Sequence, residues 1–98
     1  MNRAELKAFY KELYTEVALI LFRIDPMGIN FEDNTDEYDP EVDTILPRLK
    51  DTNSASDVQR IIYEEFVHWF GDLASRRNHE LYSQSAKEIW AVWLEHKK

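Results

Sequence analysis

The sequence contains no cysteine, and it has only two glycines and three prolines among its 98 residues. The lack of cysteine excludes disulfide bonds, thiolate metal sites and a cysteine nucleophile, and it fits a reducing compartment such as the cytoplasm. The scarcity of glycine and proline disfavours a β protein with many tight turns. No apolar run approaches the roughly 18 residues of a membrane span, and the first residues do not resemble a signal peptide. We therefore expect a cytoplasmic protein without a membrane segment.

The spacing of apolar residues predicts helices. With 44% hydrophobic and 13% aromatic residues the chain can bury a core, and apolar side chains recur at steps of three and four residues. This pattern predicts four helices, at approximately residues 3–24, 39–50, 55–70 and 77–96. Phe9 is expected on the buried face of the first helix, and Trp69 on that of the third. The predicted fold is all-α: a compact, four-helix bundle-like single domain over residues 1–98, with a long acidic loop between helices 1 and 2.

Several helix ends carry recognisable capping chemistry. Asn2 and Glu5 have the spacing of a capping box, and Pro26 restricts Asp25 to conformations that end a helix. The sequence Asp39-Pro40-Glu41 predicts a helix start with Asp39 as the N-cap. Three further signals are expected to act along the chain: Pro47 as a kink or early end, Ser54 or Ser56 as an N-cap, and Gly71 as a helix end.

The acidic residues are concentrated in one stretch. Residues 32–43, EDNTDEYDPEVD, contain seven carboxylates and no base, and residues 25–43 contain eight acids without a lysine or arginine. The rest of the chain has 11 acids and 12 bases, so the net charge of −7 arises locally. Nucleic acid is disfavoured as a direct partner because phosphate binding needs a basic surface. Helix termini account for Asp25, Asp39 and Glu41, but they leave four acids unexplained: Glu32, Asp33, Asp36 and Glu37.

Metal binding is the first alternative for such a stretch. A calcium-binding EF-hand loop that began at Asp33 would place Tyr38 where glycine is needed and Thr44 where a bidentate glutamate is needed. An irregular divalent-cation site in the loop stays open as an alternative. Glu64, Glu65 and His68 have the spacing of half a di-metal bundle site, but the chain has no second such motif. We therefore predict no cofactor and no metal-binding residue.

The sequence contains no recognisable catalytic motif. The serines fall in predicted linkers or on helix surfaces, and no glycine-rich phosphate-binding loop is present. An aromatic stripe has helical spacing and is interpreted as core packing rather than as a ligand cage. Its members are Tyr63, Phe66, Trp69, Phe70, Trp90 and Trp93. The prediction is a non-catalytic protein with no catalytic residue.

Two short motifs carry a resemblance to a known family. Asp25-Pro26-Met27-Gly28-Ile29, followed by Asp36-Glu37-Tyr38-Asp39, resembles a family of small bacterial helical proteins of unassigned function over roughly residues 15–70. The chain has Ile24 where that family often has tryptophan. The resemblance implies an all-helical fold and lends no catalytic residue. In size, charge and helical class the chain also resembles immunity proteins that neutralise bacterial nuclease toxins, although no motif is shared.

The uncompensated carboxylates favour a protein-binding module with a basic protein partner. Glu32, Asp33, Asp36 and Glu37 are the predicted contact residues, and the specific version of the hypothesis is an immunity protein that binds a toxin nuclease domain. Tyr38 is predicted either as an aromatic anchor for that partner or as a packing residue at the start of the second helix. A scaffold or homo-oligomerising protein and a divalent-cation-regulated protein are the alternatives.

Overall fold

The computed structural model describes residues 1–29 and 37–98, and all regular secondary structure in these ranges is helical. The helices are α1 (Arg3–Tyr10), α2 (Glu12–Ile24), α3 (Asp39–Ile45), a 3-10 helix (Leu46–Asp51), α4 (Ala55–Phe70), α5 (Asp72–Ser75) and α6 (His79–Lys97). The all-α prediction is confirmed for this part of the chain. The radius of gyration is 12.4 Å, close to the value of about 13 Å typical of a compact chain of this length. None of the helices described is long and apolar enough to span a membrane.

Four predicted helix ends are confirmed by their hydrogen bonds or backbone angles. Asn2 accepts from the Glu5 amide at 2.9 Å, and Glu5 accepts from the Asn2 amide at 3.0 Å, which completes the capping box. Asp25 ends α2 in the left-handed conformation with φ 53°. Ser54 caps α4 by accepting from the Asp57 amide at 3.2 Å, and Gly71 ends that helix with φ 62°. Local capping chemistry therefore determines these boundaries.

The predicted first helix is divided, which makes the four-helix description too coarse. Lys11 has φ 54° and ψ −126°, so its backbone leaves the helical region between α1 and α2. Its amide still bonds to the Lys7 carbonyl at 2.8 Å, while its carbonyl accepts from the Tyr14 amide at 3.2 Å. Neither glycine nor proline stands at the break, and Leu6 and Leu13 on its two sides are both buried. The apolar period thus continues across a break in the backbone.

The second predicted helix ends early, as the proline within it predicts. Regular α structure stops at Ile45, and Pro47 lies in the 3-10 helix that follows. Proline has no amide hydrogen, so it cannot continue the α-helical bonding pattern. The prediction of Asp39 as N-cap is wrong, because Tyr38 occupies that position and Asp39 is already helical. The start of the last helix also moves, to His79, with Asn78 as its side-chain cap.

The core lies between α2, α4 and α6, with α3 packed against α4 and α1 against α2. Its largest fully buried side chains include three tyrosines and one phenylalanine: Tyr14, Tyr38, Tyr82 and Phe66. Two predicted core residues lie at the surface instead, since Phe9 is 62% exposed and Trp69 is 44% exposed. The Trp69 indole N–H is satisfied at the protein surface, where it donates to the Thr44 hydroxyl at 3.1 Å.

Candidate functional site

The predicted partner-binding residues are only partly within the described structure. Glu32, Asp33 and Asp36 lie outside the described residues, and the prediction for these three stays a prediction. Glu37 lies in the turn that precedes α3 and is partly exposed. The neighbouring described residues show how the two ends of residues 25–38, which we call the acidic segment, are held.

Asp25 and Tyr38 join the two ends of the acidic segment. The Tyr38 hydroxyl donates to the Asp25 carboxylate at 2.6 Å and accepts from the Met27 amide at 3.0 Å. The same carboxylate oxygen accepts from the Ile29 amide at 2.8 Å. The Asp-Pro-x-Gly motif and the Asp-Glu-Tyr-Asp motif therefore meet through one hydrogen-bonded pair. We call Asp25 and Tyr38 the clasp.

Tyr38 is a core residue and not an exposed anchor. It has no exposed surface, and its ring stacks on Phe66 with centroids 5.7 Å apart and planes inclined by 12°. Burial, followed by the hydrogen bond to Asp25, raises the pKa of the Tyr38 hydroxyl well above its ordinary value. The anchor role is corrected for this reason, since a partner finds no Tyr38 surface to contact. Its environment supports the packing role at the start of α3.

Arg77, in the short connection between α5 and α6, binds the backbone of the Asp-Pro-x-Gly motif. Its Nε donates to the Pro26 carbonyl at 3.1 Å. Gly28 has φ 69°, and a Cβ atom there would stand 2.7 Å from Nη2 of Arg77. The positive φ favours glycine at position 28, whereas a Cβ atom there would require only the flexible end of the Arg77 side chain to shift.

The acids at the start of α3 are partly neutralised by bases of α1. Arg3 Nε donates to Asp43 at 2.9 Å, and the Lys7 ammonium lies 3.7 Å from the Asp39 carboxylate. Lys7 also lies over the Tyr14 ring, 5.3 Å from its centroid. These pairs were not expected from the sequence, because the bases and acids are more than 30 positions apart. Asp39 and Asp43 thus find counter-charges within the monomer.

Tyr14 connects the same group of residues from α2. Its hydroxyl donates to the Asp43 carboxylate at 2.6 Å. Burial is the main reason that the Tyr14 pKa is raised, and the bond to the ionised Asp43 adds to the effect. Tyr14 therefore stays protonated and serves as a hydrogen-bond donor, which makes it unsuitable as a general base.

Glu41 is a buried carboxyl without full hydrogen bonding. It is 3% exposed, and its Oε2 atom has no hydrogen-bond partner among the described residues. Burial raises the pKa of Glu41 to about 7, and the negative charges of Asp43 and Asp39 act in the same direction. Glu41 does lie in the first turn of a helix, as the sequence predicts, but its burial was not expected.

The residues considered for a di-metal site have other partners. Arg48 binds both carboxylates, at 2.6 Å to Glu64 and 2.8 Å to Glu65. His68 is exposed, and its ring contacts Trp69 at a centroid distance of 5.3 Å. Within residues 1–29 and 37–98, no group of three or more potential ligands could hold a metal ion.

An apolar groove lies between α1, the 3-10 helix and α6. Its volume is about 510 Å³, within the range of roughly 300–1,000 Å³ typical of small-ligand sites. The lining residues are Met1, Leu6, Phe9, Tyr10, Asp43, Pro47, Lys50, Trp93 and His96. Sequence reasoning missed this groove because its walls come from three distant segments. Phe9 is an apolar residue that lines the groove, but its helical spacing predicted a place in the core.

Comparison of the chain with protein-family models, with curated proteins and with solved structures finds no match. The family resemblance suggested by the two motifs therefore stays a prediction. The contacts around Asp25, Gly28 and Tyr38 give a structural reason for these residues to occur together in one chain.

Proposed function

We propose that the chain is a non-catalytic, cytoplasmic protein-binding module that engages a basic protein partner through the carboxylates of residues 32–37. Its most specific form is an immunity protein that occupies the cationic substrate groove of a toxin nuclease domain. The contact residues in this proposal are Glu32, Asp33, Asp36 and Glu37. Tyr38 is left out because its ring is buried.

The observation that supports the proposal is the local concentration of acids in the sequence, beside acids whose partners the structure defines. Bases of α1 lie beside the acids of α3, with Arg3 at Asp43 and Lys7 at Asp39. The clasp satisfies the Asp25 carboxylate by hydrogen bonds. In the sequence, four of the chain's 19 acids fall within six consecutive residues that contain no base, and they supply more than half of the net charge of −7.

Such a local charge favours fast association with a cationic surface. Long-range attraction can raise an association rate by roughly tenfold to a thousandfold, and salt screens the attraction. A carboxylate cluster placed in a nucleic-acid-binding groove would also compete with phosphate for the same bases. Because the clasp joins both ends of the acidic segment to each other, it would limit the conformational entropy lost on binding.

The test uses a panel of immobilised, catalytically inactivated nuclease toxin domains with basic net charge. Association rates are measured by surface plasmon resonance between about 0.05 and 0.5 M NaCl. We expect the rate for a binding domain to fall at least roughly tenfold over this range. A variant with Glu32→Gln, Asp33→Asn, Asp36→Asn and Glu37→Gln should associate more slowly at low salt and depend less on salt.

The matched control removes four exposed acids elsewhere: Glu12→Gln, Glu16→Gln, Asp72→Asn and Glu80→Gln. It has the same net charge as the four-amide variant, so it separates a local effect from a general one. The proposal is wrong if no domain binds, if the association rate is independent of salt, or if both variants behave alike. For the immunity version, co-expression with the active toxin domain should restore growth with the wild-type chain and not with the four-amide variant.

Exposed apolar residues support self-association as a second candidate function. Phe9, Trp69 and Leu73 are 62%, 44% and 58% exposed, and a second copy could cover such surface. Light scattering over a wide concentration range tests this scaffold hypothesis. A mass that stays monomeric at every concentration would exclude it, whereas a dimer that persists in the four-amide variant would favour it over the acidic-segment proposal.

A further inference from the structure

Trp69 is an exposed tryptophan whose orientation is fixed by a hydrogen bond. It is 44% exposed, although tryptophan is highly buried on average in folded proteins. Its indole N–H donates to the Thr44 hydroxyl at 3.1 Å, and that hydroxyl donates in turn to the Glu41 carbonyl at 3.2 Å. The His68 ring contacts the indole nearly at a right angle, with centroids 5.3 Å apart. The polar atom of Trp69 is therefore bonded, while much of its aromatic surface is open to solvent.

Two contacts place Trp69 on the same side of the molecule as the end of the acidic segment. Tyr38 stacks on Phe66 and Thr44 contacts Trp69, so α3 lies along the last turns of α4. Glu37 directly precedes Tyr38, and the seven positions from Glu37 to Thr44 span roughly 10 Å along the helix axis. A standard protein interface buries about 800 Å² on each partner, which corresponds to a disc of about 16 Å radius. Trp69 thus falls within an interface of ordinary size that is centred on Glu37.

The protein's own cations do not cover the Trp69 ring. In the part of the chain that the structure describes, lysines lie over two other aromatic rings, but no lysine or arginine lies over that of Trp69. Arg48, in the 3-10 helix that follows α3, is held instead by Glu64 at 2.6 Å and Glu65 at 2.8 Å. The face of an indole ring attracts cations, and arginine takes this place more often than lysine. The Trp69 ring can therefore accept a cation from another molecule.

We propose that Trp69 is the aromatic anchor of the protein interface and that an arginine side chain of the basic partner stacks on its ring. The inference rests on the proposed function, because the carboxylates of residues 32–37 are what attract a basic partner to this side of the molecule. Tryptophan and arginine are among the residues that most often dominate the binding energy of an interface. The anchor role predicted for Tyr38 thus passes to a residue whose helical spacing predicted a place in the core.

The chemistry of this surface selects an arginine over other contacts. The guanidinium group is planar, weakly hydrated and stacks on aromatic faces, whereas the lysine ammonium is compact and strongly hydrated. An anionic partner would be repelled by the carboxylates of residues 32–37. A second copy of the chain in a two-fold contact would bring two acidic segments together, which like-charge repulsion disfavours.

The test compares fluorescein-labelled hexa-arginine and hexa-lysine peptides, whose binding is measured by fluorescence anisotropy at about 0.01 M NaCl to keep screening weak. The wild type should bind hexa-arginine more tightly. Trp69→Leu keeps an apolar side chain and removes the aromatic face, and the Thr44 hydroxyl keeps its bond to the Glu41 carbonyl. We expect this variant to bind hexa-arginine roughly threefold to tenfold more weakly, and hexa-lysine less than roughly twofold more weakly.

Three further variants make the result specific. Trp69→Phe keeps a ring but loses the indole N–H, so it should retain most of the preference for arginine and separates stacking from the bond to Thr44. Phe9→Leu is the matched control, since Phe9 is an exposed aromatic residue on α1, and it should leave both affinities unchanged. The four-amide variant should weaken both peptides alike, because it removes charge and keeps the aromatic face.

Two results separate this inference from the function on which it rests. If the four-amide variant loses affinity for both peptides while Trp69→Leu binds like the wild type, the acidic segment binds cations and Trp69 is not its anchor. If Trp69→Leu loses the preference for arginine while the four-amide variant binds like the wild type, the arginine contact stands and the acidic segment does not attract the partner.

Three other outcomes would overturn the assignment of Trp69. The first is no binding of hexa-arginine to the wild type. The second is an equal loss of affinity in Trp69→Leu and Phe9→Leu, which would show that any exposed aromatic residue contributes as much. The third is a wild type that is dimeric in light scattering and a Trp69→Leu variant that is monomeric, since a second copy would then cover the ring.

Discussion

Glu41 is the residue at which burial and charge conflict most directly. Its pKa is raised from 4.5 to about 7, with burial as the largest cause. Between these two values the unfolded chain has lost the proton that the folded chain keeps, so the folded state is progressively disfavoured as the pH rises. The free energy of unfolding should therefore fall by on the order of 3 kcal/mol between pH 4.5 and 7, and change little from this residue above that range.

Replacing Glu41 by glutamine removes this titration and keeps the shape of the side chain. We expect Glu41→Gln to exceed the wild type in stability at pH 8 and to lose most of the advantage at pH 5. Urea unfolding at the two pH values measures the difference. Glu80→Gln, an exposed acid in the first turn of α6, is the control and should show no such pH-dependent gain. If Glu41→Gln were less stable than the wild type at pH 8, the claim that the ionised Glu41 carboxylate destabilises the fold would be contradicted.

The clasp makes a separate prediction about Tyr38. Tyr38→Phe keeps the ring that stacks on Phe66, but it removes the donor to Asp25 and the acceptor for the Met27 amide. We expect a loss of about 1–3 kcal/mol, because the buried Met27 amide is left unsatisfied. Tyr63→Phe is the matched control, since the Tyr63 hydroxyl makes no hydrogen bond within the described residues, and it should cost less than about 0.5 kcal/mol. Similar losses for the two variants in urea unfolding would remove the clasp as a stabilising contact.

At the scale of elements, the break at Lys11 separates α1 from α2 with a backbone conformation that suits glycine. Lys11 has φ 54° and ψ −126°, and a side chain in such a region costs roughly 1–3 kcal/mol. Lys11→Gly should relieve this strain and lose part of the gain to the greater freedom of the unfolded chain. The net expectation is an increase of about 1 kcal/mol in the free energy of unfolding.

The control for this prediction is the same substitution inside a continuous helix. Lys87→Gly in α6 should lower stability by about 1 kcal/mol, because glycine is a poor helix former. Denaturant unfolding of the two variants should thus give changes of opposite sign. A loss of stability in Lys11→Gly as large as that in Lys87→Gly would indicate that residues 3–24 behave as one continuous helix in solution.

The elements that were predicted correctly have their determinants within a few residues. Asn2 with Glu5, Ser54 and Gly71 each act through a nearby backbone group, so the local sequence contains the required information. The break at Lys11 has no such signal, because both flanking segments keep one apolar period and tertiary packing selects the backbone. The spacing of apolar residues also does not distinguish a buried position from one at the edge of the apolar face. For this reason the exposure of Phe9 and Trp69 was not predicted.

At the scale of the whole molecule, contacts between distant segments determine the sites. Lys7 meets Asp39 across 32 positions, and the groove combines residues from α1, the 3-10 helix and the last turn of α6. Counting acids and bases along the sequence locates the excess of negative charge, but it cannot show that bases of α1 pair with acids of α3. For the same reason the sequence predicted an acidic segment and gave no indication of the apolar groove.

The remaining prediction concerns how the net charge of −7 acts on stability. Like charges in the acidic segment repel one another, and folding holds the ends of that segment in place through the clasp and α3. Added salt should therefore raise the melting temperature of the wild type, since the screening length shortens from about 30 Å at 0.01 M to about 10 Å at 0.1 M. The four-amide variant at residues 32, 33, 36 and 37 should start higher at low salt and gain less.

The dispersed variant at Glu12, Glu16, Asp72 and Glu80 distinguishes a local cause from a general one. It carries the same net charge, but its four changes lie on three different helices, so less mutual repulsion is removed. Its melting temperature should therefore keep most of the wild-type dependence on salt. If thermal unfolding shows the same salt dependence for both variants, total charge alone governs stability. Repulsion among the carboxylates of the acidic segment would then not destabilise the fold, and a bound basic partner would have no such repulsion to relieve.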